Sequence, residues 1–124
     1  MKKNKIYKSF FFAFSGIFYL IKTERNFQIH LIAALLTICL GVLLNISLSE
    51  WIQITACIAV VWFAESFNTA LEKLCDMVKP DIHPQIKIIK DVSAGAVLIA
   101  AIASVVIGLL IFVPRLIDVY FSFL

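Results

Sequence analysis

The sequence predicts an all-α integral membrane protein, with three transmembrane helices preceded by an N-terminal amphipathic surface helix in one domain spanning 1–124. Three observations predict it. Of 124 residues, 62% are hydrophobic and 15% charged, and the mean hydropathy is +1.00, too apolar for one small soluble core. Three apolar runs approach bilayer length. The cations gather at the N-terminus and in one later connection.

Residues 1–25, "MKKNKIYKSFFFAFSGIFYLIKTER", imitate a secretory signal, with a basic start and an apolar run from Ser9 to Ile21. No small-residue cleavage site follows, only Thr23, Glu24 and Arg25. The better reading is a helix lying in the membrane interface, its lysines toward headgroups and Phe10, Phe14, Ile17 and Phe18 toward acyl chains. The first span covers 29–44, "IHLIAALLTICLGVLL", and the second 51–78, opened by Trp51. Between them "NISLSE", Asn45 to Glu50, has no Lys or Arg. The second connection, "KPDIHPQIKIIKD", carries Lys79, Lys87 and Lys90, with Pro80 and Pro84 breaking the preceding helix. The third span covers 92–113, "VSAGAVLIAAIASVVIGLLIFV". Lys2, Lys3, Lys5, Lys8, Lys22 and Arg25 precede the first span, so the positive-inside rule puts the N-terminus and the second connection in the cytoplasm of a multi-pass protein.

Cys39, Cys57 and Cys75 sit inside apolar runs and read as small buried hydrophobes, neither a disulfide framework nor a zinc site. A net charge of +3 without a basic, aromatic-interleaved stripe offers nothing to nucleic acid. His30 and His83 have no second His or Cys at ligand spacing, and His30 reads as an interfacial hydrogen-bonder.

Chemistry is concentrated in "WFAESFNTALEKLCDMV", Trp62 to Val78. Steps of three, four and four residues align Glu65, Asn68, Glu72 and Asp76 on one helical stripe. Measured from Trp51 at the outer interface, a rise of about 1.5 Å per residue puts Glu65 roughly 21 Å in and Glu72 roughly 32 Å in. Against an apolar core of about 30 Å, Glu65 lies just beneath the cytoplasmic surface and Glu72 at it. A stripe that merely glues helices together needs one amide rather than three carboxylates. A channel would distribute acids across the bilayer, yet the outer half of this helix has only Gln53 and Thr55 as polar groups. Acids at two depths suit a reaction joining a soluble reactant to a lipid hydroxyl: the shallower holds Mg²⁺ on phosphate oxygens, the deeper takes a proton. There is no glycine-rich phosphate loop, so acids and lysines would have to grip a nucleotide.

"ESFNTALE", Glu65 to Glu72, resembles the E-x-x-N-[ST]-A-[IL]-E signature of the prokaryotic diacylglycerol kinase family. "KDVSAGAVLIA", Lys90 to Ala100, is similar to that family's K-D-x-x-[AS]-[AG]-A-V-L stretch. "SFFFAFSGI" (Ser9 to Ile17), "ERNFQIHLIAA" (Glu24 to Ala34) and "HPQIKIIKD" (His83 to Asp91) resemble its undecaprenol kinase branch. The resemblance implies a bacterial inner-membrane lipid kinase that uses ATP and Mg²⁺ to phosphorylate a primary hydroxyl, on undecaprenol or alternatively on diacylglycerol. It implies Glu65 as catalytic base and Asn68 as the group orienting the site. Glu24 and Glu72 become the acids holding metal and ATP phosphates, Lys90 and Asp91 nucleotide-binding positions, and Asp81, Ile82 and His83 a loop around the base. Lys5 stands where the family's diacylglycerol branch has an Arg and Gln28 where an Arg is usual, so phosphate contacts are not carried over there. The resemblance also implies a homotrimer with active sites between neighbouring subunits, so that Glu24 and Glu72 of one site could come from different chains. Ala96, Ala100, Ser104 and Gly108, small residues at every fourth position of the third span, would let helices approach closely.

Overall fold

The computed structural model describes residues 3–78 and 83–124 and contains four helices: α1 (Lys3–Thr23), α2 (Arg25–Leu43), α3 (Leu48–Val78) and α4 (Pro84–Ser122). The last three are long and apolar enough to cross a membrane. Glu24 separates α1 from α2 with an extended backbone (φ −102°, ψ 109°), so the chain turns there without a loop. The Gln28 side-chain amide fastens that corner, donating to the carbonyls of Ile21 (2.9 Å) and Lys22 (3.4 Å) at the end of α1. Gln28 is therefore a clasp between the two helices.

α2 ends in a Schellman motif. Asn45 takes the left-handed conformation at φ 48°, which short amide side chains tolerate, while Ile46 N–H donates to Gly41 and Asn45 N–H to Val42. Ser47 and Glu50 then form a reciprocal capping box, Glu50 N–H to Ser47 Oγ (3.2 Å) and Ser47 N–H to the Glu50 carboxylate (2.7 Å). Arg115 of α4 pairs with that same carboxylate and donates to the carbonyls of Leu44 and Asn45. The connection is thus tied to the far helix.

α4 is 39 residues long and extends beyond the apolar run 92–113 at both ends. Pro84 opens it at a position where no N–H is needed, with His83 Nδ1 as the cap accepting from Gln85 N–H (3.2 Å). Pro114 lies inside it and the helix continues.

α3 and α4 form the most extensive pairing, with α2 against α3 and α1 against α2. Their contact has two unlike halves. Near the α2–α3 connection it is apolar, built on Ile46, Ile54, Ile111 and Phe112 with Leu40, Trp51 and Ile58 around them. Toward the other end of α3 most of the buried side chains are polar, Glu65, Asn68 and Thr69 of α3 with Ser93 of α4, and Cys75 is buried beyond them.

Gly41 is where α2 meets the Trp51 ring: a Cβ there would lie 2.8 Å from Trp51 Cη2 and 3.1 Å from Ile46 Cδ1. Gly41→Ala is therefore expected to cost about 1–3 kcal/mol through overpacking, seen as a lowered melting temperature in detergent. Gly16, Gly95 and Gly108 have open space beside the missing Cβ, so the same change at Gly95 leaves stability within about 0.5 kcal/mol.

Candidate active site

The acidic stripe of α3 grades from buried to exposed along the helix: Glu65 (2% exposed) and Asn68 (4%) are buried, Glu72 is half-buried and Asp76 exposed. Each member has a partner supplied by another turn or another helix. Ser93 Oγ donates to Asn68 Oδ1 (2.8 Å) across the α3–α4 contact, and Asn68 Nδ2 donates to Glu72 Oε1 (3.2 Å). This chain of donors assigns the amide orientation and fixes one oxygen of Glu72. Asp76 pairs with Lys90 at 2.5 Å, which holds the start of α4 against the end of α3. Glu65 faces α2, where His30 Nε2 stands 3.9 Å from its carboxylate. Phe27, almost fully buried against Trp62 at 5.7 Å between centroids, fixes α2 beside this part of α3.

Glu24 reaches the same region from the α1–α2 corner. Its carboxylate accepts from Thr23 Oγ1 (3.3 Å) and pairs with Lys73 Nζ at 3.1 Å. Lys73 directly follows Glu72, so this ion pair sets the corner beside that turn of α3. Tyr19 of α1 completes this corner. Its ring lies 5.2 Å from Lys73 Nζ, and the Lys73 ammonium, then the Thr23 hydroxyl, hold the phenol below its ordinary value of 10.0.

Other expected site residues are placed differently. Lys90 is engaged by Asp76, Asp91 is exposed and pairs with Lys87 one turn away on α4, and His83 caps α4. Asp81 and Ile82 lie outside the described residues. Lys73, Tyr19 and Ser93 belong to the cluster although spacing alone did not single them out. Their partners lie on other helices.

Hard oxygen donors suit Mg²⁺, which binds through one or two carboxylates and takes its remaining ligands from water and substrate phosphates. Among the described residues no three of His, Cys, Asp and Glu form a cage for a metal ion. Glu24 and Glu72, two carboxylates near the end of the bundle, fit the sparser Mg²⁺ pattern. Below His30 a groove of about 300 Å³ runs between α2, α3 and α4, walled by small or apolar groups including Ala33, Cys57, Ala101 and Gly108. Trp62 also lines it, and among the described residues its buried indole Nε1 has no hydrogen-bond partner.

The chain is 42% identical over 113 residues to an undecaprenol kinase of Bacillus subtilis, covering 91% of this chain and 92% of that protein. It is 37% identical over 111 residues to a diacylglycerol kinase of Synechocystis, covering 89% of this chain and 63% of that longer protein. The family profile described as prokaryotic diacylglycerol kinase matches residues 11–112, a stretch that takes in most of α1, the acidic stripe and most of α4. On that match and on these lipid-kinase relatives, the chain belongs to the prokaryotic diacylglycerol kinase family.

Proposed function

We propose that the protein is an ATP- and Mg²⁺-dependent kinase of a membrane lipid, transferring the γ-phosphoryl group to the primary hydroxyl of undecaprenol, with diacylglycerol as the alternative acceptor. The observation that carries this is a buried carboxylate, Glu65, 3.9 Å from His30, a residue that lines the apolar groove, with Asn68 and Glu72 following Glu65 along the same face of α3. In this reading the acceptor chain lies in the groove and its hydroxyl reaches Glu65. The lipid oxygen attacks the γ-phosphorus, the bond to the ADP oxygen breaks, and Glu65 takes the hydroxyl proton. Asn68, held by Ser93, orients Glu72. Glu24 and Glu72 would hold Mg²⁺, which when bound neutralises charge on the phosphates. Lys90 and Asp91 serve the nucleotide, with Asp81, Ile82 and His83 around the base.

The same reading places α1 in the cytoplasmic interface of the bacterial inner membrane, with the N-terminus inside, and makes the assembly a homotrimer. The exposed aromatic residues of α1 (Phe10, Phe11, Phe12, Phe14 and Phe18) support the first of these, because they need acyl chains or protein to cover them. The preference for undecaprenol follows the relative that is 42% identical. Purified protein given Mg-ATP and either lipid in mixed micelles is expected to phosphorylate undecaprenol at the higher kcat/KM. A higher value with diacylglycerol would reverse the acceptor, and no transfer to either would remove the kinase assignment.

A further inference from the structure

Lys73 has no part in the stripe of acids, yet it stands at the centre of the corner those acids occupy. It follows Glu72 directly on α3, so its ammonium leaves the helix at the depth of the proposed metal acid. It does not turn to Glu72. It reaches across to α1, where it pairs with Glu24 at 3.1 Å and sits 5.2 Å from the centroid of the Tyr19 ring. Its side chain is 48% exposed and that of Glu24 25%. An ion pair this open to solvent contributes little to stability, so fastening α1 to α3 does not account for it. The lysine expected to meet phosphates, Lys90, is meanwhile occupied by Asp76. A groove of about 380 Å³ between α1 and α3 has Tyr19 and Lys73 on its wall, which gives the ammonium room to leave Glu24.

We propose that Lys73 is a phosphate-positioning residue that neutralises Glu24 in the resting protein and exchanges it for a nucleotide phosphate oxygen when a divalent cation takes Glu24. The exchange rests on the kinase reading above. It needs no new charge to be desolvated: one cation–carboxylate pair becomes a cation–phosphate pair, and the freed carboxylate meets the metal. Tyr19 steadies the ammonium in the resting position through its ring. The side chain of Lys73 is flexible enough to swing between these two partners, as a lysine stem with four rotatable carbons allows.

This arrangement makes Lys73 a competitor of the metal and a helper of the nucleotide, so its removal moves two constants in opposite directions. In Lys73→Met, nucleotide-free Mn²⁺ binding, read by electron paramagnetic resonance, is expected to tighten about threefold, because Glu24 is released from its pair. The KM for ATP is expected to rise about tenfold at saturating Mg²⁺, through loss of a charge-assisted bond, with a smaller change in kcat. Lys73→Arg, which keeps the cation, is expected to stay within about threefold of wild type in both. If Lys73→Met does not extract as folded protein, Lys73→Gln carries the same two measurements. Weakening of both Mn²⁺ and ATP binding together would make Lys73 a structural tie only, and no change in either would remove its role; both results overturn the proposal. Wild-type protein that phosphorylates neither lipid fails the kinase reading itself, whereas an active wild type with unmoved Lys73→Met constants fails only the role of Lys73.

Discussion

Glu65→Gln is expected to lower kcat for lipid phosphorylation by about 10² to 10⁴-fold, the range a general base contributes, while the KM for ATP stays near wild type. The amide has the shape of the acid but cannot accept the hydroxyl proton. Because Glu65 is only 2% exposed, the change also replaces a group that is costly to bury when charged with one that is neutral. The variant should therefore melt no lower than wild type in detergent, and the lost rate cannot be put down to misfolding. A variant retaining more than about a tenth of the wild-type rate would take Glu65 out of the base role. His30, at 3.9 Å, would then be the next group to test.

What spacing and composition made legible is what a single helix carries by itself. Three apolar runs announced three helices, and the intervals among Glu65, Asn68, Glu72 and Asp76 put them on one face, since the 3.6-residue turn is a local property. What pairs with that face is not local. Ser93 is 25 residues from Asn68 in sequence, Lys90 14 from Asp76 and Arg115 65 from Glu50. No periodicity ties residues so far apart; only the pairing of α3 with α4 does. The capping box of Ser47 and Glu50 was within reach of a local reading, because its S-x-x-E spacing is itself a signal. Gln28 shows the converse case. Read against the family it is a missing Arg, but its short amide reaches the carbonyls of Ile21 and Lys22, a role that depends on the sharp corner at Glu24. The same corner brings Glu24 beside Lys73 of α3, a pairing that no local spacing announces.

The hydrogen-bond chain from Ser93 through Asn68 to Glu72 makes a graded prediction about metal dependence. Glu72 is the proposed Mg²⁺ ligand, Asn68 holds one of its oxygens at 3.2 Å, and Ser93 holds Asn68 at 2.8 Å. Support of a ligating group one bond removed from a metal typically contributes 10–100-fold in metal affinity or activity, so Asn68→Ala is expected to raise the half-saturating Mg²⁺ concentration by about that factor. Glu72→Gln removes the ligand itself and should exceed it, also weakening ATP binding because the phosphates lose their bridged anchor. Ser93→Ala leaves Asn68 its donor to Glu72 and loses only the bond that orients it, a change of about threefold to tenfold for one neutral hydrogen bond. Mg²⁺ titrations of the initial rate at saturating ATP and lipid would rank the three. The order Ser93→Ala, then Asn68→Ala, then Glu72→Gln is specific to a metal held at Glu72. Were Asn68 instead a contact of the lipid hydroxyl, Asn68→Ala would raise the KM for lipid and leave the Mg²⁺ dependence where Ser93→Ala leaves it. Three variants with unshifted Mg²⁺ curves and reduced kcat would take the metal away from Glu72 and leave the buried amide as a support for Glu65 alone.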